Sequence, residues 1–348
     1  MSEKIKRREF LLLCATGLGS LAFRPLFMRG GDSFEAGNLA RVAAYSISVY
    51  SQPNDKSRIV RQLYRDELVN VYYEVNSEYG PAWNPLWYRV WGGYIHSAHT
   101  EKVQVRLNSV LNAIPKEGQL AEVTVPYTQS LRRGYTKKWD SRDCYRLYYG
   151  SMHWITGIEE GPDQQPWYRL KDELLEVEYI VPAIHLRPVK PEEFAPISPD
   201  VPPEEKHIEV SLSRQTLTAY EGTDVVLHTK ISSGIPSHLP SPTGIPTATP
   251  KGDFRVYSKM PSKHMGDGNL TGDIEAYELP GVPWVSFFAD NGVALHGTYW
   301  HNNFGVQMSH GCVNMRTNEA NWIFRWTTPV TDAGIWEKRG RGTQVKVG

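Results

Sequence analysis

Apolar and polar residues alternate in short runs over most of the chain, and this period of two predicts strands whose two faces differ. In the N-terminal half the clearest runs are Leu68–Val75 and Tyr145–Ile158. Further along, Ile208–Leu212 and Thr216–Tyr220 alternate on either side of a three-residue turn at 213–215, which predicts a hairpin. The pattern is therefore that of a mainly β protein.

A convincing helical pattern occurs only near the C-terminus. Asn318–Trp326 is the one clear candidate, and Thr317 stands where an N-cap is expected. The remaining strands are predicted at Val225–Ile231, Phe254–Ser258, Val282–Phe288 and Val293–His296. Many short strands with little helix predict a β-sandwich or barrel with one or two helices over residues 206–348.

The N-terminal half contains an internal repeat. Leu39–Val42 resembles Leu120–Val123 at an offset of 81 residues, and Trp87–Arg89 recurs as Trp167–Arg169 at an offset of 80. Two such copies predict two small β-barrels, at 38–108 and 118–190. Trp87–Val90 followed by Gly93–Ile95 resembles the closing strands of bacterial Src-homology-3-like barrels, which in exported proteins bind the cell wall or pack on a catalytic domain. Trp87 and Trp167 are expected in the barrel cores rather than on a ligand surface.

A proline-rich stretch separates the second repeat from the C-terminal strands. Its prolines follow one another closely between Pro191 and Pro203. Closely spaced prolines favour an extended, semi-rigid backbone. We therefore expect a linker at 190–205 and a domain boundary near residue 205.

The first thirty residues resemble an export signal. Lys4–Arg8 is basic, and the apolar run Leu11–Phe23 follows directly. The run is shorter than the ~20 residues of a transmembrane helix, and this order is that of a signal peptide. Arg7-Arg8 ahead of Phe10-Leu11 resembles a twin-arginine signal. We expect residues 1–30 to direct export to the periplasm or cell wall, with membrane contact only through this segment if it is retained; lipidation at Cys14 is a weaker alternative.

Composition excludes two classes of protein. Hydrophobic residues make up 40% of the chain and charged residues 22%, which is enough apolar material for real cores and rules out large-scale disorder. Lys and Arg number 38, as do Asp and Glu, so the balanced charge argues against a nucleic-acid partner. Without the signal segment only Cys144 and Cys312 remain, which is no disulfide framework.

Reactive residues are densest near the C-terminus. His296-Gly297 is followed, after a gap of twelve residues from His296, by Ser309-His310-Gly311-Cys312-Val313-Asn314. A cysteine attacks as a thiolate, and a nearby histidine can take its proton and stabilise the thiolate as an ion pair. Glycines beside the nucleophile let backbone N–H groups face a developing oxyanion. The cluster predicts acyl transfer by a Cys–His pair.

Three other interpretations of the cluster stay open. His and Cys are common zinc ligands, so His296, His301, His310 and Cys312 are a candidate metal set, although no paired ligand spacing supports it. Cys312 could instead be an inert buried thiol. It could also pair with Cys144, because the expected compartment can be oxidising.

The same string resembles the signature of the L,D-transpeptidase catalytic domain family, a histidine followed by Ser/Thr-His-Gly-Cys and then an apolar residue with Asn or Arg. The resemblance covers about 206–330. Gln215–Gly222 resembles the family's opening hairpin, and Ser232-Ser233-Gly234 and Thr249–Phe254 resemble two further family motifs. The His296–Ser309 spacing is near the short end for the family, which implies a shorter lid, and Asn314 stands where many members have Arg.

The resemblance implies a role for each residue of the cluster. Cys312 would be the nucleophile and His296 the general base, with the imidazole oriented by the backbone carbonyl of Gly297. His310 and the amides of Gly311 and Cys312 would line the oxyanion pocket. Ser309 and Asn314 would hold the loop and the substrate.

The resemblance also implies the reaction. A peptidoglycan stem peptide would acylate the cysteine and release D-Ala, and the side-chain amine of a neighbouring stem would then form the cross-link, a step of cell wall biogenesis and cell shape. No metal or other cofactor is expected, and β-lactams such as carbapenems are expected inhibitors. Two alternatives are an L,D-carboxypeptidase, with water as the acceptor, and a catalytically inactive wall-binding protein.

Overall fold

Two antiparallel sheets make up the first β module. A computed structural model describes residues 38–133, 138–236, 247–271, 273, 277–290 and 292–348. The two sheets have the orders β4-β1-β8 and β3-β2-β7-β6-β5. Their strands are β1 (Leu39–Val42), β2 (Ser46–Tyr50), β3 (Ile59–Tyr64), β4 (Leu68–Asn70), β5 (Tyr73–Asn76), β6 (Leu86–Val90), β7 (Gly93–His96) and β8 (Thr100–Val103), with a 3-10 turn at Ser97–His99.

The second β module is built around a five-stranded sheet of order β16-β15-β14-β9-β17, with two short pairs, β10-β13 and β11-β12, beside it. Its strands are β9 (Gln119–Val123), β10 (Tyr127–Gln129), β11 (Arg132–Arg133), β12 (Trp139–Asp140), β13 (Arg146–Tyr148), β14 (Met152–Glu160), β15 (Pro166–Lys171), β16 (Glu178–Pro182) and β17 (Leu186–Pro188), and a 3-10 turn lies at Ala183–His185. The run predicted as one strand over Tyr145–Ile158 is two strands, because Gly150 at φ +75° turns the chain between them.

The C-terminal domain has two five-stranded sheets, β20-β19-β18-β27-β21 and β25-β24-β23-β22-β26. The predicted hairpin is β18 and β19, and one helix, α1, occurs where a helix was predicted. The elements are β18 (Lys206–Ser211), β19 (Thr216–Glu221), β20 (Asp224–Lys230), β21 (Gly252–Arg255), β22 (Ser258–Gly266), β23 (Glu278–Ala289), β24 (Val293–Gly297), β25 (Val313–Met315), α1 (Thr317–Trp326), β26 (Lys338–Arg339) and β27 (Gln344–Val347).

The mainly β fold class is thus confirmed, with small β modules ahead of a two-sheet domain that carries one helix. Trp87 and Trp167 are both buried, as a core position requires. The predictions for residues 1–30 lie outside the described residues. Within the part of the chain that is described, no helix is long and apolar enough to cross a membrane.

The proline-rich stretch at 190–205 differs from the extended spacer that was expected. It contains two 3-10 turns, Pro191–Phe194 and Pro203–Glu205. The ring of Phe194 is 4% exposed and packs against Trp284 and Phe324 of the C-terminal domain. Arg325 Nε also donates to the carbonyl of Ala195 at 2.8 Å. An apolar side chain among the prolines therefore fixes the stretch to the domain that follows.

One apolar core joins the second module to the C-terminal domain. It includes Met152 and Trp154 from β14 together with residues of both C-terminal sheets. Trp154 stacks on Trp336 with ring centroids 4.7 Å apart and an interplanar angle of 5°. Ser262 Oγ donates to the Met152 carbonyl at 2.6 Å. The described residues accordingly belong to one compact unit rather than to separated domains.

Candidate active site

Two parallel strands place the predicted nucleophile and base on one face of a sheet. β24 and β25 run parallel, with His296 in register with Asn314 and Leu295 in register with Val313. Continuing that register by one residue sets Cys312 beside Ala294. Side chains two apart along a strand share a face, so His296 and Cys312 project from the same side as diagonal neighbours.

A cavity of about 200 Å³ opens on this face. Five of the predicted site residues line it: His296, Ser309, His310, Cys312 and Asn314. Gly297 and Gly311 act instead through their backbone groups. The remaining wall is formed by Met265, Tyr277, Leu279, Trp300 and Met308, which sequence reasoning missed. Trp300 and Met308 could have been suspected from their place between His296 and Ser309, whereas the other three belong to the distant hairpin β22–β23.

The imidazole of His296 is held in one tautomer. His296 is 1% exposed, and its Nδ1 lies 2.9 Å from the carbonyl oxygen of Gly297. A carbonyl can only accept, so Nδ1 carries the proton and Nε2 keeps a lone pair. Burial lowers the pKa of His296 to about 4, although the bond to Gly297 opposes the shift. The ring is therefore a neutral base at pH 7.

The thiol of Cys312 is also neutral at rest. Burial raises the pKa of Cys312 to about 11, against the opposing effect of a hydrogen bond from the Ala294 backbone. Its Sγ lies 3.7 Å from the carbonyl oxygen of Gly292, a weak S–H···O contact. A thiol pKa above its usual range and an imidazole pKa below it both favour the neutral pair over the expected thiolate–imidazolium pair. The proton has to move during attack.

Ser309 closes the turn that carries the cysteine. Its Oγ donates to the carbonyl of Cys312 at 2.5 Å and accepts from the N–H of Gly311 at 3.2 Å. Gly311 has φ +121°, a conformation that favours glycine. These two bonds are the kind expected of a residue that holds the loop around Cys312 in place. The amide of Gly311, expected in the oxyanion pocket, is occupied by Ser309 instead.

The two upstream motifs support the same turn from behind. Thr249 Oγ1 donates to the Gly311 carbonyl at 2.7 Å and accepts from the Gly234 N–H at 2.8 Å. A Cβ on Gly234 would come within 2.2 Å of the Thr247 carbonyl oxygen and 2.8 Å of Gly311 Cα, so only glycine fits. The Gly234 and Thr249 motifs therefore pack behind the cysteine turn and fix its backbone.

Asn314 is buried and holds another histidine. Its side-chain amide lies 2.9 Å from Nε2 of His301, while Nδ1 of His301 accepts from the backbone N–H of Asn303 at 3.2 Å. Burial lowers the pKa of His301 to about 3. The sequence singled out His301 only as a metal candidate, because no motif spacing relates it to Asn314. Its role here is to tie the loop after β24 to the strand after Cys312.

His310 lies at the open side of the cavity. Its ring packs against Tyr277 with centroids 4.8 Å apart, and the residue is exposed. It is therefore free to approach a bound carbonyl. Among the described residues no group of three or more His, Cys, Asp or Glu side chains is placed to hold a metal ion. Cys144 and Cys312 are both free thiols, so the disulfide alternative is excluded.

Residues 205–347 match the model of the YkuD family, described as the L,D-transpeptidase catalytic domain. The C-terminal domain is by this match similar to transpeptidase domains of that class. The match covers 143 of 348 residues and does not extend to the two β modules. A comparison with curated proteins gave no match.

Several solved structures resemble the chain locally. An L,D-transpeptidase of Xylanimonas cellulosilytica is 27% identical over 41% of this chain and 60% of its own, with a TM-score of 0.31. The catalytic domain of the Enterococcus faecium L,D-transpeptidase is 29% identical over 42% of this chain and 98% of its own, with a TM-score of 0.29. L,D-transpeptidase 3 of Mycobacterium tuberculosis, solved with a faropenem-derived adduct, is 20% identical over 41% and 60%, with a TM-score of 0.30. The assignment of the domain rests on the family match.

Proposed function

We propose that the protein is an L,D-transpeptidase that cross-links peptidoglycan stem peptides through a thioester on Cys312. One observation carries the proposal: Cys312 lines a cavity beside His296, whose tautomer is fixed by the Gly297 carbonyl, within a segment that matches the family. The geometry supports a base with its free nitrogen on the face that also bears the thiol.

The first half-reaction forms the acyl enzyme. Sγ of Cys312 attacks the carbonyl carbon of the third, diamino residue of the donor stem, while Nε2 of His296 takes the thiol proton. Negative charge develops on the carbonyl oxygen, and the N–H of Cys312 with the ring of His310 are the donors we assign to it. The bond to D-Ala then breaks, and the imidazolium returns its proton to the departing amine.

The second half-reaction transfers the acyl group. The side-chain amine of a neighbouring stem attacks the thioester carbon and gives its proton to His296. The C–S bond breaks, and the sulfur regains the proton from the imidazolium. The products are a cross-link between third residues and the free enzyme. Water in place of the amine would give an L,D-carboxypeptidase by the same steps.

The site also suits β-lactams, whose strained amide carbonyl replaces the stem peptide carbonyl. Opening of the ring by Sγ leaves the whole drug attached to Cys312 and needs the same base and the same oxyanion donors. The faropenem-derived adduct in the M. tuberculosis structure belongs to that protein; a carbapenem is chosen as the probe here for its strained carbonyl.

The test uses the purified protein with a muropeptide tetrapeptide, followed by mass spectrometry. We expect a dimer linked between third residues together with release of D-Ala. Cys312→Ala is expected to abolish both products, and Cys144→Ala, the matched control at the other free thiol of the described residues, to keep them within a few-fold. A tripeptide product alone would identify the carboxypeptidase, and the absence of any product from the unmodified protein would refute the proposed activity.

We also propose that the protein is exported. The basis is the basic and apolar order of residues 1–30 and the twin arginines Arg7-Arg8. Replacing both arginines by lysine is expected to keep the protein in the cytoplasm. Normal amounts outside the cytoplasm would favour the general secretory route instead.

A further inference from the structure

The loop between β24 and the cysteine turn, residues 298–308, forms one wall of the cavity. Trp300 lines the cavity and packs with its ring centroid 5.8 Å from that of His296. The next residue, His301, holds Asn314. Two adjacent residues of this loop therefore touch the base and the strand that follows the nucleophile.

The first β module forms hydrogen bonds to this loop at Asn302. The backbone N–H of Asn302 donates to the Ala98 carbonyl at 2.8 Å, and its carbonyl accepts from Asn84 Nδ2 at 3.0 Å. Its side-chain amide also donates to the Tyr88 hydroxyl at 3.3 Å. Both backbone groups of a loop residue beside the cavity are thus satisfied by a module more than 200 residues away in sequence.

Asn84 is itself fixed for this contact. It is 8% exposed, and its Oδ1 accepts from Ser97 Oγ at 3.2 Å and from the Leu86 N–H at 3.4 Å. The Leu86 N–H can only donate, so it sets which atom of the amide is the oxygen. The NH₂ group is consequently directed at the Asn302 carbonyl, and few other rotamers are open to the buried side chain.

A second anchor lies on the other side of Trp300 and His301. Arg41 is 2% exposed and donates from Nη2 to the Tyr299 carbonyl at 3.2 Å. Its guanidinium is held by Asp66 at 3.0 Å and Glu101 at 2.8 Å. The first module therefore restrains the loop immediately before and immediately after the two residues that contact the site.

We infer that Asn84 is a positioning residue of the active site, acting through Asn302 on Trp300 and His301. The reaction it supports is the proposed one, but the contact itself is independent of the substrate. Releasing Asn302 lets Trp300 move off His296 and admits water to the thiol. Misplacement of about 1 Å in such a site costs roughly 10²-fold in rate.

The test compares Asn84→Asp with Asn70→Asp, the same change at an exposed position of the same module. The aspartate can still accept from Leu86 and Ser97 but has no donor for Asn302. Carbapenem acylation of Cys312, followed by intact-protein mass spectrometry, is expected to slow by about 10- to 100-fold in Asn84→Asp. It is expected to be unchanged in Asn70→Asp. Asn302→Ala, which keeps both backbone bonds, is expected to slow it less than Asn84→Asp.

A second readout separates positioning from general loss of structure. Iodoacetamide alkylation of Cys312 at pH 7 is expected to become faster in Asn84→Asp, because a wetter site lowers the raised thiol pKa. Buried Cys144 reports on folding and is expected to stay protected. If Asn84→Asp also exposes Cys144, the same two rates are measured in Asn84→Ala, which removes the donor without adding a charge.

Slower acylation with faster alkylation of Cys312 alone supports the inference. Rates equal to those of the unmodified protein would overturn it. The inference would also be overturned if acylation slowed in Asn84→Asp and Asn84→Ala only when Cys144 was alkylated as well. Asn84 would then stabilise the whole fold rather than the active site. Alkylation needs no stem peptide, so a failure of the proposed transpeptidation would be recognised separately.

Discussion

The neutral state of Cys312 and His296 leads to a prediction about pH. A free cysteine with a pKa near 8.5 is about 3% thiolate at pH 7, whereas a thiol with a pKa of about 11 is roughly one part in 10⁴. If alkylation follows the thiolate, Cys312 should react with iodoacetamide about 300-fold more slowly than a free cysteine at pH 7. Its rate should rise about tenfold per pH unit, without a plateau below about pH 10.

The acid side of the profile depends on His296. A protonated imidazole cannot take the thiol proton, so acylation by a carbapenem should fall as pH decreases through the folded pKa of about 4, well below the ordinary range near 6.5. His296→Ala should slow acylation by about 10²–10⁴, the usual cost of a lost general base. Its alkylation by iodoacetamide, which needs no base, should change by far less.

Both rates can be followed by intact-protein mass spectrometry between pH 4 and 10 in a Cys14→Ser, Cys144→Ser background, which leaves Cys312 as the one thiol. A thiolate–imidazolium pair would behave differently. It would give an alkylation plateau beginning below pH 7 that disappears in His296→Ala. That result would refute the neutral resting state.

Three further outcomes are expected. Thr249→Val should lower the free energy of unfolding by about 2–4 kcal/mol, because it leaves the buried Gly234 N–H and Gly311 carbonyl unsatisfied; thermal unfolding should show no such loss for the exposed Thr223→Val. Burial lowers the pKa of His264, but its bonds to Asp172 at 2.7 Å and Glu278 at 2.8 Å outweigh this and raise it. Its stabilising contribution should therefore be complete below about pH 6.5 and lost as pH rises through the folded pKa, so urea midpoints of the unmodified protein and His264→Gln should converge at alkaline pH. Phe194→Ala should cost about 3–5 kcal/mol in urea unfolding, and a fragment beginning at residue 204 should be correspondingly less stable than one beginning at 190.

Features that depend on neighbours in sequence were predictable. The alternation over Thr216–Tyr220 follows from side chains that face alternately in and out, and the strands predicted there and at Val293–His296 are both present within a residue of their predicted bounds. The cluster from Ser309 to Asn314 was recognisable because its reactive residues are contiguous. The tautomer of His296 also follows from a local contact, the adjacent Gly297 carbonyl.

Features that depend on long-range packing were not predictable from the chain alone. The pKa of Cys312 is set by how deeply β24 and β25 are covered, which no local pattern records. The proline-rich stretch was interpreted from its backbone stiffness, while the burial of Phe194 depends on a pocket formed by distant residues. His301 carries no motif, and its contact with Asn314 depends on the course of the 298–308 loop, which is held both by the first module and by Ser232 of its own domain.

The short spacing between His296 and Ser309 acquires a physical explanation from that outside support. Eleven residues, 298–308, leave β24, form a cavity wall and return to the cysteine turn. A short loop can do this if its shape is fixed by partners rather than by its own packing. Arg41 and Asn84 supply those partners from the first module, and Ser232 Oγ supplies another by donating to the Asn303 carbonyl at 2.9 Å. The first β module then serves the active site as part of its framework, and any binding to the cell wall would come from the surface that this framework leaves exposed.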